Sequence, residues 1–366
     1  MDHILRHMDA QPNRSQRLMD WTQKVFENSG IETKQLAYHP NEIHNAHHNA
    51  VHVNDACFHT AVTMCKQLTQ NILRETDMKM TDISAVFVGT EVPNDMSIDS
   101  YTHIVTGGNP HIKRYSLHGK SCAGGAVNLS HAFDYLQGHP DEAVQVINID
   151  LYSRLWTYGY RNVISEKMPH VDTQRDQMKR MRNALIPAVI LGDAAVSMIL
   201  LGENHPLYRF SADVDGSPVV VATGRATVPD TLHNTRFVPK PYGAVPMLHE
   251  DVPAVGVTAV RQAMEHLKEK HYVPDLLSFY CMHPGGVRVL NGLEEALNIP
   301  HELMQPAFEI LRRYGNCASP TVLLELEHIM KQPMKRSNKE TGLLAVVGPG
   351  MMSEVLLIER KQPMIM

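Results

Sequence analysis

One short segment of the sequence places a reactive side chain among small neighbours. Cys122 lies in the run Leu117-His-Gly-Lys-Ser-Cys-Ala-Gly-Gly-Ala126, and a segment with helical apolar spacing, 127–136, follows at once. A helix N-terminus carries roughly half a positive charge and favours a thiolate over a thiol. The glycines allow the backbone to approach a substrate and offer N–H groups to an oxyanion. The segment predicts a nucleophilic cysteine; the alternative is a buried structural cysteine.

Three other side chains suit the chemistry of a cysteine-bound acyl group. His283 can stabilise the thiolate as an ion pair and then donate a hydrogen bond to an oxyanion, and Asn316 offers an amide N–H to the same oxygen. A buried Glu91 with a raised pKa can take the α-proton of an acyl thioester. Each residue also has an ordinary interpretation. His283 and Asn316 are common turn residues, and Glu91 can cap a helix or pair with a lysine.

The order of predicted elements repeats in the two halves of the chain. A strand that ends at Glu91 corresponds to a strand that ends at His283, and the loop and helix of Cys122 correspond to those of Asn316. Thirty-one residues separate Glu91 from Cys122, and 33 separate His283 from Asn316. Alternating strands and helices favour a parallel α/β arrangement. A pseudo-twofold sandwich would bring the four side chains into one site.

This repeat divides the chain into an N-terminal half, residues 1–205, and a C-terminal half, residues 206–366. The polar, charged stretch 160–182 predicts an inserted cap or loop. Histidines between residues 39 and 52 have partly helical spacing, but no acidic or cysteine ligand lies at a confirming distance. We therefore predict no metal site and a solvated or substrate-side helix. The histidines concerned are His39, His44, His47, His48 and His52.

Composition excludes several classes of protein. The chain has 366 residues, of which 43% are hydrophobic and 20% charged, and its net charge is -5. Neither the charge nor any Lys/Arg run predicts a nucleic-acid partner. The polar start and the absence of a long apolar run predict a cytoplasmic protein without a membrane partner. Five cysteines without a CxxC pair argue against a disulfide framework.

The motifs together resemble the thiolase superfamily, in particular its ketoacyl synthase III and type III polyketide synthase branch. The resemblance runs in order from about residue 15 to residue 360. Two motifs carry most of it, His283-Pro-Gly-Gly286 and Tyr314-Gly-Asn-Cys-Ala-Ser319. Ser121-Cys-Ala-Gly-Gly125 is similar to the nucleophile segment of the family, and Leu191-Gly-Asp-Ala-Ala195 and Gly348-Pro-Gly350 are similar to two of its structural loops.

The resemblance implies a thiolase-like, pseudo-duplicated α-β-α-β-α sandwich and a ketosynthase, that is, an acyltransferase. Such an enzyme joins two acyl thioesters by Claisen condensation through an acyl-Cys122 intermediate, with His283 and Asn316 serving condensation. The expected products are β-ketoacyl, pyrone or cyclised polyketide-type compounds. The substrates would be thioesters of coenzyme A or of an acyl carrier protein, without any other cofactor. A homodimer through the strand at 143–149 is also implied.

The family also implies how substrates bind. Its type III polyketide synthases hold the phosphates of coenzyme A with a basic cluster on the first helix. Here Lys24 occupies one of those places, and Arg17, Arg14 and Lys34 are candidates to compensate for the others. The aromatic gatekeeper of the family is replaced by Leu191, which suggests room for an aliphatic chain. The implied substrate-binding residues are Arg17, Lys24, Leu191, Gly348, Pro349 and Gly350.

Two departures from the family pattern leave alternatives open. Glu91 resembles the glutamate of hydroxymethylglutaryl-CoA synthase and of relatives that condense acyl chains without decarboxylation. Decarboxylative enzymes need no such base, because loss of carbon dioxide makes the enolate. Members usually begin with a strand before the first helix, so that strand is either absent or precedes the printed start. Other functions considered are acyl transfer to an alcohol or amine, and a catalytically silent subunit of a heteromeric synthase.

Overall fold

The coordinates come from a computed structural model. The structure describes residues 2–11, 14–38, 50–92, 97–100, 107, 109–154, 164–165, 175–209, 216–240, 243–334 and 338–362. His39, His44, His47 and His48 of the histidine-rich stretch lie outside these residues, as does most of the predicted insertion at 160–182. No helix among the described residues is both long and apolar enough to cross a membrane.

The helices follow the apolar periodicity of the sequence. In chain order they are α1 (Asp2–Asp9), α2 (Gln16–Glu27), α3 (Ala50–Glu75), α4 (Gly124–Gly138), α5 (Arg175–Ile190), α6 (Val252–Lys270), α7 (Val287–Leu297), α8 (His301–Tyr314) and α9 (Thr321–Met330). Short 3₁₀ turns lie at Met80–Asp82 and Ser121–Ala123. The predicted helices at α6, α7 and α9 have the bounds that the structure shows.

The strands are short, and most are apolar. In chain order they are β1 (Ile83–Thr90), β2 (Lys113–Leu117), β3 (Ala143–Leu151), β4 (Asp193–Leu201), β5 (Val219–Thr227), β6 (Thr235–Lys240), β7 (Gly243–Leu248), β8 (Phe279–Met282), β9 (Lys339–Gly348) and β10 (Met352–Lys361). Strands β6 and β7 form an antiparallel hairpin, which periodicity did not predict.

Two mixed sheets make up the frame of the described residues. One has the strand order β2-β1-β3-β4, and the other has the order β5-β10-β9-β8. In the first sheet β1 and β3 are parallel and β4 is antiparallel to β3. In the second, β8 and β9 are parallel and β10 is antiparallel to β9. The repeat predicted from spacing therefore appears in the topology. The parallel packing that the sequence favours holds for the β1–β2, β1–β3 and β8–β9 pairs, whereas β4, β5 and β10 pair antiparallel. The boundary at residues 205 and 206, between β4 and β5, stays a prediction.

The strand expected to form the dimer interface lies inside its sheet. Every residue of β3 is buried, and β3 is hydrogen-bonded to β1 on one side and to β4 on the other. Both edges of β3 are therefore occupied within the chain, and the expectation of an interface through 143–149 was wrong. An edge is available at β2, where Lys113, Arg114, Tyr115 and Ser116 are exposed.

Part of the predicted insertion is a helix. Residues 175–190 form α5, which packs against α2. Met178, Met181 and Leu185 recur at helical spacing and are buried, although charged residues surround them in the sequence. The apolar stripe was therefore hidden by the polar composition of the exposed face.

The two halves meet along a central helix, α4. Its first seven residues are buried, and it packs against β1 and β3 of its own half and against α9 of the other half. Gly125 makes this contact possible, because a Cβ atom at this position would lie 2.3 Å from the carbonyl oxygen of Ser319. Close approach of α4 to the segment after Asn316 thus depends on a residue without a side chain.

Candidate active site

Cys122 lies where the sequence predicted it. It is the middle residue of the 3₁₀ turn that runs directly into α4, so its sulfur is near the N-terminus of a buried helix. Burial nevertheless raises the pKa of the Cys122 thiol to about 11, against the opposing effect of a hydrogen bond from Asn316. The protonated thiol is therefore the resting form in this structure.

Asn316 is in contact with the nucleophile. Its Nδ2 lies 3.5 Å from Cys122 Sγ, and its Oδ1 accepts a hydrogen bond from Ala318 N at 2.8 Å. The backbone of Asn316 is joined to the segment after α5, because its N–H donates to Ile190 O and its carbonyl accepts from Gly192 N. The structure thus brings together two residues that are 194 positions apart, as the repeat predicted.

His283 follows β8 and is buried, with 3% of its surface exposed. Its backbone N–H donates to Ala345 O and extends the pairing of β8 with β9. Neither ring nitrogen has a hydrogen-bond partner among the described residues, and burial lowers the pKa of the ring to about 3. The imidazole is neutral, so the predicted thiolate–imidazolium pair is absent from this structure. A neutral ring can donate one N–H to a substrate oxygen.

Glu91 contacts the segment of the nucleophile. Its Oε1 accepts a hydrogen bond from Ser121 N at 2.8 Å, directly before Cys122. Burial is the largest influence on this carboxyl and raises its pKa above the ordinary value. Both sequence interpretations of Glu91 therefore meet in one side chain, because it is half-buried beside the turn of the cysteine and also binds a backbone N–H.

Asp150 is a site residue that the sequence reasoning missed. It is the penultimate residue of β3 and is fully buried. Its Oδ1 accepts from Glu91 N at 2.7 Å, and its Oδ2 accepts from Ser319 N at 2.9 Å and Ser319 Oγ at 2.6 Å. Burial and the nearby charge of Glu91 raise the pKa of Asp150 to about 8. The signal was available, since Asp150 lies near the end of a buried strand and Glu91 directly follows another.

The predicted substrate-binding loops lie around the cysteine. Leu191 is buried in an aliphatic cluster against which Cys122 packs. A Cβ atom on Gly348 would lie 2.5 Å from the Cβ of Ala123, so the Gly348–Gly350 segment is packed tightly on the turn of the nucleophile. Pro349 and Gly350 are half-buried in the same connection between β9 and β10.

The basic residues of the N-terminal region have different positions. Arg17 and Lys24 are exposed on α2, where they can meet an anionic group. Lys34 is half-buried instead, and its Nζ donates to the carbonyl oxygens of Ala188, Val189 and Leu191 at 2.9 to 3.1 Å. Burial lowers the pKa of Lys34 to about 7. Lys34 thus caps the C-terminus of α5, and its expected contribution to a phosphate-binding cluster was wrong.

The described residues contain no cluster of three or more His, Cys, Asp or Glu side chains that could hold a metal ion. The described residues instead provide the thiol of Cys122, the amide N–H of Asn316 against its sulfur, the carboxyl of Glu91 on its turn, and the neutral imidazole of His283. These groups suit covalent acyl transfer and the stabilisation of a thioester enolate.

Comparison with known proteins identifies families in both halves. The family model described as chalcone and stilbene synthases, C-terminal domain, matches residues 226–361. The model described as FAE1/type III polyketide synthase-like protein matches residues 1–164. Each half of the site is therefore matched: Glu91 and Cys122 lie in the second match, and His283 and Asn316 in the first.

Individual relatives extend over nearly the whole chain. A 1,3,6,8-tetrahydroxynaphthalene synthase of Streptomyces peucetius subsp. caesius is 24% identical over 363 residues, covering 98% of this chain and 88% of the relative. The crystal structure of 1,3,6,8-tetrahydroxynaphthalene synthase from Streptomyces coelicolor A3(2), a bacterial type III polyketide synthase, has a TM-score of 0.81 at 19% identity and covers 100% of this chain and 95% of that one.

A third comparison includes a ligand. The structure of CsyB complexed with CoA-SH has a TM-score of 0.75 at 16% identity, covering 98% of this chain and 95% of that one. At these identities the structural likeness shows the fold, and it confirms the pseudo-duplicated α/β sandwich that the sequence predicted.

Proposed function

We propose that Cys122 carries the acyl group in this chain, which is a type III polyketide synthase-like ketosynthase that joins acyl thioesters by Claisen condensation. The observation that carries the proposal is the 3.5 Å contact between Cys122 Sγ and Asn316 Nδ2 at the start of a buried helix. This contact joins the motif of one half to the motif of the other.

The first step transfers the acyl group to the enzyme. The Cys122 sulfur attacks the thioester carbonyl, a new carbon–sulfur bond forms, and the bond to the donor thiol breaks. The proton of Cys122 ends on the departing thiolate, so the step needs no cofactor. The contact from Asn316 Nδ2 favours the developing thiolate, because it offers a hydrogen bond to the sulfur.

The second step makes the carbon–carbon bond. We assign His283 and Asn316 to the carbonyl oxygen of the second thioester, whose enolate attacks the acyl carbon on Cys122. The unpartnered nitrogens of the neutral His283 ring support this role, since a buried donor without a partner is costly unless a ligand supplies one. Attack releases the sulfur of Cys122 and leaves a β-ketoacyl thioester, which can extend further or cyclise.

The enolate has two possible origins. Loss of carbon dioxide from a malonyl thioester would make it without a base, whereas an unactivated acyl thioester would need a group such as Glu91. Partial burial and the raised pKa of Glu91 support the base, and its hydrogen bond to Ser121 N supports a purely structural cap. Replacement of Glu91 by glutamine separates the two.

We propose acyl-CoA as the thioester donor and an aliphatic acyl chain as the group transferred. The exposed Arg17 and Lys24 on α2 support binding of coenzyme A phosphates, and the structure of CsyB with CoA-SH shows that a protein of this fold binds coenzyme A. Leu191 and its aliphatic neighbours beside Cys122 support an apolar acyl chain. Delivery by an acyl carrier protein is the alternative, and donor substitution in the same assay tests it.

Intact-protein mass spectrometry tests the acyl-enzyme. Incubation with a medium-chain acyl-CoA should add one acyl mass to the wild type and none to Cys122→Ala. Cys57→Ala is the matched control, because Cys57 is a buried cysteine of α3 and should leave the increment in place. Addition of a malonyl or β-ketoacyl partner should then release a product with a longer carbon chain. Absence of the increment with both coenzyme A and carrier-protein donors contradicts the proposal.

We also propose a homodimer, through the edge of β2 rather than through β3. Tyr115 on β2 is 42% exposed and stacks on Phe87 at 4.5 Å, so the edge presents an aromatic surface. Pairing with β2 of a second copy would satisfy the backbone groups of that edge. Size-exclusion mass gives the oligomeric state.

A further inference from the structure

The residue before the nucleophile has a strained backbone. Ser121 has a φ of +41°, in the left-handed region that residues with a side chain rarely adopt. Such a conformation persists only where the surroundings hold it, and it is frequent at functional sites. Because Cys122 follows directly, the conformation of Ser121 sets the direction in which the cysteine leaves the loop.

Two hydrogen bonds hold Ser121 from opposite ends of the residue. Its backbone N–H donates to Glu91 Oε1 at 2.8 Å. Its side-chain Oγ lies 2.9 Å from the hydroxyl oxygen of Tyr152, so one hydroxyl donates to the other. The first bond comes from the end of β1 and the second from the end of β3.

Tyr152 is a rigid support for this contact. It is 2% exposed and lies in the buried aliphatic cluster that contains Leu18, Leu185 and Leu191. Burial raises the pKa of its phenol well above the ordinary value, so the hydroxyl stays protonated at physiological pH. The ring is fixed by packing, and its hydroxyl is directed at Ser121.

The conformation of Ser121 affects the position of the reacting sulfur atom of Cys122. Cys122 Sγ is 4.0 Å from Ser121 Oγ and 3.5 Å from Asn316 Nδ2. We propose that the Tyr152 hydroxyl is a positioning group, which holds Ser121 in its left-handed conformation and thereby keeps Cys122 Sγ against Asn316. This inference rests on the proposed function of Cys122 as acyl carrier and assigns the support of that cysteine to a residue outside the Cys, His and Asn motifs.

A double-mutant cycle separates positioning from other roles. The rate of Cys122 acylation by hexanoyl-CoA is measured in a single turnover by quenched-flow mass spectrometry, well below the unfolding temperature of each variant. Tyr152→Phe removes only the hydroxyl and should slow acylation by about tenfold, the value of one buried hydrogen bond. In a Ser121→Gly background the same change should cost less than about twofold, because glycine adopts the positive φ without support.

The second readout is the pH profile of acylation. A positioning group lowers the rate by the same factor at every pH, so the wild type and Tyr152→Phe should give profiles of the same shape. A displaced profile would mean that Tyr152 takes the proton of Cys122, and it would overturn the inference. Equal losses in the two Ser121 backgrounds, or no loss in either, would overturn it as well.

Failure of the proposed function has a different signature. If the wild type forms no acyl adduct with either a coenzyme A or a carrier-protein thioester, Cys122 is not the acyl carrier, whatever Tyr152 does. The four proteins of the cycle are then compared by alkylation of Cys122 with iodoacetamide, which needs no thioester. The tenfold and twofold pattern in alkylation would still support positioning by Tyr152, and equal alkylation rates in all four would refute it.

Discussion

Replacement of Gly125 by alanine tests whether the approach of the two halves sets the site. An added Cβ would lie 2.3 Å from Ser319 O, 3.0 Å from Val322 Cγ1 and 3.3 Å from Leu323 Cγ. Ordinary contact begins at 3.4 Å, so the backbone at Ser319 must move by about 1 Å. The first obstacle is a carbonyl oxygen rather than a flexible side chain, and it cannot turn away.

We expect Gly125→Ala to lower both the free energy of unfolding and the rate of Cys122 acylation. Overpacking of this kind destabilises a core by about 1–3 kcal/mol. Movement of Ser319 also disturbs its bonds to Asp150 and the position of Asn316, three residues earlier. Since a displacement of about 1 Å at a catalytic group can cost roughly 10²-fold, acylation of Cys122 should fall by that order.

Urea denaturation followed by circular dichroism measures the loss of stability, and single-turnover acylation measures the loss of rate. Gly138→Ala is the matched control, because Gly138 ends the same helix and an added Cβ there meets nothing within 4 Å. The control should stabilise the protein by about 0.5–1 kcal/mol through lower backbone entropy of the unfolded chain. Wild-type stability and acylation in Gly125→Ala would refute the argument that this contact positions the site.

Substitutions at three other positions, two of them with control variants, test separate elements of the site and the surface. Glu91→Gln keeps an acceptor for Ser121 N, so it should lower the rate of condensation by orders of magnitude only if Glu91 is the base. Glu91→Ala removes the acceptor and should impair acylation of Cys122 in either case. Condensation at the wild-type rate in Glu91→Gln contradicts the role of Glu91 as base. Glu325 is fully buried on α9, accepts a hydrogen bond from Met282 N, and has a pKa raised well above the ordinary value by burial. Above the pKa of the unfolded state, the folded state retains a proton that the unfolded state has released, so the wild type loses free energy of unfolding as pH rises. Between pH 5 and 7, the free energy of unfolding of Glu325→Gln should therefore rise relative to that of the wild type by up to about 1.4 kcal/mol per pH unit. Parallel curves of unfolding free energy against pH would instead show an ionised Glu325. Tyr115→Glu should convert a dimer to a monomer in size-exclusion measurements. Leu232 lies away from β2 and is 82% exposed, so Leu232→Glu should leave the dimer intact. A dimer in both variants would exclude the β2 edge as the interface.

The elements that sequence reasoning predicted well are those with a strong apolar period and clear ends. Helix α9 is an example, because Pro320 precedes it and buried apolar residues recur along it. The turn of Cys122 before α4 was predicted on the same grounds. By contrast, four of the five residues of β2 are exposed and only Leu117 is partly buried, because it is an edge strand whose pairing leaves little hydrophobic signal.

Some contacts of the candidate site could not be predicted from local sequence pattern. The spacing of motifs predicted that Cys122 and Asn316 would meet, since both follow corresponding strands of a repeat. Spacing does not fix the rotamer of a side chain. In the structure, the His283 ring has no hydrogen bond to the cysteine sulfur, which spacing alone could not have predicted. The contacts of Tyr152 with Ser121 depend on how β3 ends beside the nucleophile loop, and only tertiary packing determines that arrangement.

The position of α4 between the halves has a consequence for synthesis on the ribosome. The chain is made from its N-terminus, so α4 emerges long before α9, which covers its face of small apolar residues. Until that helix arrives, Ala126, Val127 and Leu129 have lost only part of their contact with water. Asn316 emerges at the same late stage, and the nascent chain therefore has a cysteine without its amide partner. The contact between Cys122 and Asn316 therefore forms only when nearly all of the chain has been made.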